Sequence, residues 1–554
     1  MRVFLIAVLA LLVPGFARAD SYDLVIARTP VTVDGKSHTA LTINGTLPGP
    51  TLHFTEGENV TLRVTNALDT LTSLHWHGFI LPAEMDGVPG FNGFAGIKPG
   101  STFTYRFKVR QSGTYWYHSH VGTQEQGGLY GPIIVAPKDG DIVKSERDYV
   151  VVLSDFTAAN PDRILSNLKA DSGTYNFHKR TVMDFFRDVT QEGAGTAMRD
   201  RLAWGGMRMD PTDLADVSGY TFLINGKSAA DNWTGLFKPG EKVRLRLVNA
   251  SSMTYFDVRI PGLKMIVIQA DGQDVQPVPV DEMRIAVAET YDVIVVPRTD
   301  KAYTIMAESM DRSGYARGTL APRPGMEGEI PPRRPRTLLT MADMGMEGMD
   351  MSGGDMSGGD MPGMNMGGMA MPGMDMGTHQ GHDMTPPDET GPHGWADAST
   401  PKGLRMLSYK DLRALTPQKD TRAPAREIVV RLGGNMERYI WTLNGKSYAD
   451  AEPIALKYGE RVKLTFVNET MMAHPMHLHG MFFQLVNGQP AERLPNKHVV
   501  NVPPGQSYSV LITADAPGEW AFHCHLLYHM ESGMMRKVVV ARLAADAGTA
   551  KSGG

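Results

Sequence analysis

One sequence unit occurs three times along the chain at domain-sized spacing. "TINGTLPGPTLHFTEGENVTLRVTN" ends at Asn66, "LINGKSAADNWTGLFKPGEKVRLRLVN" at Asn249 and "TLNGKSYADAEPIALKYGERVKLTFVN" at Asn468. Each copy carries an Asn-Gly, then a Gly-Glu, then an alternating apolar/polar run that closes on Asn eight residues after the Glu. Alternation at period two between Asn-Gly and Pro-Gly turn signals predicts strands and tight turns. Solenoid repeats are only about 20–50 residues long, so copies this far apart predict three related β-sandwich domains instead. Helical patterns are short and confined to connections such as 181–204. The expected division is 20–145, 146–335 and 401–543, with a connecting segment at 336–400 and a frayed tail at 544–554.

The two ends of the composition argument concern cysteine and methionine. "MRVFLIAVLALLVPGFARAD" has Arg2, an apolar run from Val3 to Val13, and small residues at Ala17 and Ala19. It predicts a secretory signal over residues 1–19, too short to span a bilayer. An exported chain usually pairs its cysteines, but this one has a single cysteine in 554 residues, so no internal disulfide is available. The net charge of −5 gives no reason to expect a nucleic-acid partner. Methionine stands at 35, and 14 of these fall between Met341 and Met384. That glycine-rich stretch has neither period and almost no branched or aromatic side chain, which predicts a disordered insert.

Alignment of the three copies exposes the histidines. Nine and eleven residues past the terminal Asn, the first copy has His75 and His77 and the third has His477 and His479. The second has Val258 and Ile260 there. "GTYWYHSH" and "GEWAFHCH" then place His118 and His120, and His523 and His525, at matching offsets; the middle counterpart "AYTIMAES" has none. The middle domain therefore reads as a spacer without ligands.

Side chains at i and i+2 of a strand share a face. Four His-x-His motifs thus direct eight imidazoles to common ground, a donor set suited to copper better than to calcium or magnesium. Cys524, between His523 and His525, must face away from them. So must His474, at an odd offset from His477. With His529 and Met534 close behind, this gives one thiolate, two imidazoles and a thioether, the donor set of a blue-copper electron-transfer site. A lone His-x-His is weak evidence; four in register with a repeat, plus the sole cysteine, are not.

"HWHG", "HSH", "HPMHLHG" and "HCHLLYHMESGM" resemble the four signatures of the three-domain multicopper oxidases. "HWHGFILPAEMDGVPG" and "YWYHSHVGTQEQGGLYGPIIV" resemble the bacterial copper-resistance protein A type in particular, from about residue 22 to 541. The resemblance implies three cupredoxin-like Greek-key β-sandwiches and four copper ions. Carried over by motif, His75 and His477 would bind type 2 copper. His77, His118, His120, His479, His523 and His525 would bind the type 3 pair. His474, Cys524 and His529 would bind type 1 copper, with Met534 axial. Asp86 resembles the acid that relays protons to the trinuclear centre. Some related cuprous oxidases carry Glu where this chain has Met530.

The resemblance also implies a periplasmic oxidase that takes single electrons from Cu(I), reduces O2 to water and confers copper tolerance. A laccase-like phenol oxidase, or a copper-sequestering protein with incidental oxidase activity, are the alternatives. Soft thioethers select Cu(I), so Met341, Met344, Met346, Met349, Met351, Met364 and Met366 are candidate substrate-copper residues, with Asp450 as a further candidate acid. Met471, Met472, Met476, Met481, Met530 and Met535 read mainly as packing. His38, His53, His178, His393 and His498 belong to no constellation and read as ordinary residues. A monomer is expected.

Overall fold

The computed structural model describes residues 21–206, 210–336, 338–340 and 400–542. The signal at 1–19, the Met-rich candidates Met341 to Met366 and the tail at 544–554 lie outside the described residues. The described chain is built mainly of strands, arranged as three cupredoxin-like β-sandwiches of two sheets each.

The repeated run is the central strand of one sheet in every copy. Asn59–Asn66, Val243–Asn249 and Arg461–Asn468 each lie parallel to the first strand of their own sandwich (Ser21–Val33, Arg147–Phe156 and Arg426–Asn435). On the other side each pairs antiparallel with Thr102–Lys108, Thr290–Val295 or Ser507–Thr513. The alternation read from sequence is the burial alternation of the first copy, where Val60, Leu62 and Val64 enter the core between exposed or half-exposed neighbours.

The repeated asparagines have repeated work. Asn44, Asn225 and Asn444 adopt positive φ at the Asn-Gly turns, a conformation that Asn and Gly tolerate best. Each then accepts a hydrogen bond from the first strand, at Val25, Val152 or Arg431. The terminal Asn66, Asn249 and Asn468 are buried, and each donates to a carbonyl four or five residues on (Thr70, Thr254 or Met472) while accepting from an N–H two residues on. Without such an Asn, buried backbone groups would be left unpaired at about 1–3 kcal/mol each. The turn it holds delivers the next strand: His75–His77, Phe256–Arg259 or His474–Leu478.

Those strands lie in the second sheet of each sandwich, facing Gly113–His118, Tyr303–Ser309 and Gly518–Cys524. Among the described residues α-helices are confined to the middle copy's long connection, at Pro161–Ala170, Val182–Glu192 and Ala194–Gly206, and to the short Leu527–Glu531. Among the described residues no helix is long and apolar enough to cross a membrane.

Candidate metal centre

The first and third sandwiches bring their histidine strands together. In register, His75 faces His118 and His477 faces His523. Across the junction His75 stacks on His479 at 3.8 Å between ring centroids, and His77 stacks on His477 at 3.9 Å. His120 Nε2 lies 3.4 Å and His479 Nε2 3.2 Å from His523 Nε2. His525 lies 4.9 Å from His77 and 5.0 Å from His118 between centroids. All eight imidazoles named from the repeat are therefore gathered in one buried cage.

Each ring has an outer and an inner nitrogen. Outward, Nδ1 of His75 is 2.9 Å from the Asp86 carbonyl, Nδ1 of His479 is 2.8 Å from Asp86 Oδ2, and Nδ1 of His118 is 2.7 Å from Glu125 Oε2. His477 and His523 use Nδ1 toward the carbonyls of His498 and Cys524, at 2.7 and 2.9 Å. Inward, Nε2 of His75, His118, His477 and His525 and Nδ1 of His77 are buried without a hydrogen-bond partner. Buried nitrogens left unpaired are costly, and so many converging ones point to a bound cation. Burial, aided by neighbouring imidazoles, pushes His77, His118, His120, His477, His479 and His525 well below the ordinary histidine range, and His523 to about 3. Neutral rings offering lone pairs are what metal binding requires.

Behind the cage lies the second set. Cys524 Sγ is 3.5 Å from His474 Nδ1 and 3.8 Å from His529 Nδ1, and those two nitrogens are 3.2 Å apart. Nitrogen and sulfur donors held about 2.0–2.3 Å from one ion span edges of this size. Burial pushes the Cys524 thiol up and holds His474 well below its usual range. Such a thiol ionises only when a cation replaces its proton. Met534 is fully buried, and its carbonyl accepts from the Cys524 N–H. The donors suit copper in both sets: imidazole alone in the cage, thiolate and imidazole behind it.

Several residues that spacing missed orient these rings. Asp216 Oδ2 accepts from His529 Nε2 at 2.6 Å and from the Tyr439 hydroxyl at 2.7 Å. That leaves His529 Nδ1 facing Cys524, with Trp441 stacked on the ring at 3.8 Å. Thr470 does the same for His474 Nε2 at 2.7 Å. Tyr255 of the middle domain bonds the Ala473 carbonyl and Asn501. The middle domain is thus no mere spacer: it has lost the ligands but provides partners that hold them. His498 is also not ordinary, since its Nδ1 lies 3.2 Å from His77 Nε2. Of the others, His38 packs against Phe156 at the edge of the first sandwich, and His393 lies outside the described residues.

Asp216 also brings charge. With copper bound, Asp216→Asn keeps an acceptor for His529 but removes a buried negative charge that favours the oxidised ion. The reduction potential of the blue centre should rise by about 60 mV or more, which is about tenfold for a one-electron couple. Redox titration of the blue band measures it, and an unshifted potential would mean that the carboxylate charge is not felt.

A cleft of about 690 Å³ between the first and third sandwiches reaches the cage at His120 and is lined by residues next in sequence to His529 and Met534. Its lining includes His120 on one side and Tyr439, Met530 and Met535 on the other. Asp450 is exposed and accepts from Ser447 Oγ at 2.9 Å, in the short helical turn whose Ser447, Tyr448 and Ala449 line the same cleft. Met471, Met472, Met476 and Met481 are buried in the core, as packing requires.

Comparison with known proteins agrees with this arrangement. Residues 25–140, 147–322 and 421–543 each match a multicopper oxidase family model. The chain is 51% identical to a copper resistance protein A homolog of Pseudomonas syringae pv. tomato, over 95% of this chain and 93% of that one. It is 50% identical to copper resistance protein A of Escherichia coli, over 96% and 94%. To the multicopper oxidase MmcO of Mycobacterium tuberculosis it is 31% identical, over 95% and 88%. Its fold is similar to that of Fet3p, a multicopper oxidase that functions in iron import, with a TM-score of 0.67 at 19% identity, covering 94% of this chain and 90% of Fet3p.

Proposed function

This chain belongs to the multicopper oxidase family, and from that premise we propose that it oxidises Cu(I) to Cu(II) in the periplasm, as a step in copper resistance. The family couples substrate oxidation to the reduction of O2 and uses copper as its cofactor. The observation that carries the reading is the junction at Cys524. One face of a single strand holds a soft thiolate set and the other holds the imidazole cage, so two copper environments meet through one residue.

In this reading four copper ions are held. His474, Cys524, His529 and Met534 would hold type 1 copper. His75 and His477 take type 2, and His77, His118, His120, His479, His523 and His525 take the type 3 pair. Copper so bound supplies one-electron redox capacity, letting four Cu(I) become four Cu(II) while one O2 and four protons become two waters. The protein's part is orientation and exclusion. Asp216 and Thr470 fix the rings that flank Cys524, and Asp86, Glu125 and backbone carbonyls fix the cage. The covalent path from Cys524 Sγ through the backbone to His523 and His525 is the shortest bonded link between the two sets. Asp86 Oδ1, buried and without a hydrogen-bond partner, is the atom that would hold a proton beside the cage.

Cu(I) is favoured over a phenol by the half-identical copper resistance relatives and by the thioethers of Met530 and Met535 that line the cleft. Export is supported by the signal-like residues 1–19. Every proposed ligand comes from one chain, so a monomer suffices. Deleting residues 341–384 tests the substrate. Oxygen uptake with Cu(I) should fall while uptake with a phenol is retained; loss of both, or of neither, would count against a dedicated Cu(I) segment.

A further inference from the structure

The ninth buried imidazole of this centre carries an inference that rests on the copper reading of the other eight. We propose that His498 is a positioning residue: its ring fixes the tautomer of His77, and its backbone carbonyl fixes that of His477, so that these two stacked rings present opposite nitrogens to the metal cage.

His77 is the odd ring of the set. His75, His118, His477, His479 and His523 all turn Nδ1 outward to an oxygen acceptor. His77 turns Nε2 outward, and the atom it meets is Nδ1 of His498 at 3.2 Å. Its own Nδ1 is buried without a partner, as is Nε2 of His477. A hydrogen bond between two neutral imidazoles needs one N–H and one lone pair. If His77 Nδ1 is to keep its lone pair for a metal, Nε2 must carry the proton, and His498 Nδ1 must accept it. Outer partners of this kind fix both the tautomer and the orientation of a ligating histidine.

The ring of His498 is held in place on several sides. A Cβ on Gly78 would meet His498 Cδ2 at 2.5 Å and Nε2 at 2.7 Å, so that edge of the ring lies on the Gly78 backbone. Gly78 stands at φ +80, a conformation that favours glycine. Tyr115 and Phe482 flank the ring. Its segment is tied to the middle domain, because Asp271 Oδ2 accepts from the N–H groups of both His498 and Val499 at 3.1 Å. Asp271 is in turn paired with the fully buried Lys497, which also reaches Glu289. The ring is therefore a fixed outer support, with its Nδ1 engaged and its Nε2, buried without a hydrogen-bond partner, against the Gly78 backbone.

The test separates atoms rather than residues. His498→Asn puts an acceptor oxygen near the place of Nδ1, His498→Gln puts one near Nε2, and His498→Leu removes both. All three keep the backbone carbonyl that serves His477. The readouts are copper retained per chain against a graded chelator and the paramagnetic resonance spectrum of the cage, with the blue band as the internal control for folding. His498→Leu and His498→Gln should weaken cage copper roughly 10- to 100-fold, with the blue band intact, and His498→Asn should stay close to the parent. Parental retention in His498→Leu would overturn the proposal, as would His498→Asn failing as badly as His498→Leu. Rescue by Gln alone would overturn it too, because it would make Nε2 of His498 a ligand. Should His498→Leu not fold, the Asn and Gln pair still decides. If the unaltered chain held no cage copper at all, the copper reading itself would fall, and this proposal with it.

Discussion

Replacing Cys524 by serine abolishes the blue absorption and brings oxygen uptake on Cu(I) to background, while the chain still folds. The sulfur is fully buried between His474 and His529, and burial disfavours its ionisation unless a cation takes the place of the proton. A serine hydroxyl is a harder donor and far more reluctant to ionise, so the site loses its only soft anionic ligand. The substitution is otherwise mild. The residue's N–H still reaches the Met534 carbonyl, its register opposite Met476 is unchanged, and a hydroxyl is no larger than a thiol. The cage on the far face keeps all eight imidazoles, so copper should still bind there. Loss of blue colour and turnover with cage copper retained is therefore the expected combination. A blue, active serine variant would refute the assignment of Cys524.

Much of this was legible because spacing along a strand is geometry. Histidines at i and i+2 share a face, so the contents of the cage followed from four short motifs, and the opposite aim of Cys524 and His474 followed from odd offsets. The repeated asparagines were legible as punctuation, though the bonds that make each one necessary were not. What spacing cannot encode is contact between domains. Asp216 meets His529 from 313 positions away, and His498 meets His77 across 421. Asp216 lies in the middle copy's helical connection, which has no counterpart in the other two, so alignment of the repeats gave nothing to compare. His498 has no His-x-His partner, and the pattern that found the eight passed over it for that reason. The middle domain read as blank because its strand positions hold Val258 and Ile260, whereas its contribution comes from loops at the domain junction.

Asp86 allows the cage's two needs, orientation and protons, to be separated by experiment. Its Oδ2 accepts from His479 Nδ1 and its backbone carbonyl accepts from His75 Nδ1, so one residue orients two stacked rings. The turn that aims it is fixed, since a Cβ on the next residue, Gly87, would lie 1.9 Å from the Leu74 carbonyl oxygen. Asp86 Oδ1 stands 3.3 Å from His75 Nδ1 but takes no hydrogen bond, because that N–H is already directed at the carbonyl. Asp86→Asn preserves an acceptor for His479 and cannot carry an acidic proton. It should retain cage copper yet slow oxygen reduction roughly 10²- to 10⁴-fold, the usual worth of a positioned acid or base. Asp86→Leu loses the acceptor as well, and should in addition weaken cage copper roughly 10- to 100-fold. Oxygen uptake at saturating Cu(I), read beside copper content, distinguishes the two. If Asp86→Asn turned over at the parental rate with full copper, Asp86 would be only a brace for His479, and the four protons that O2 requires would have to reach the cage by another route.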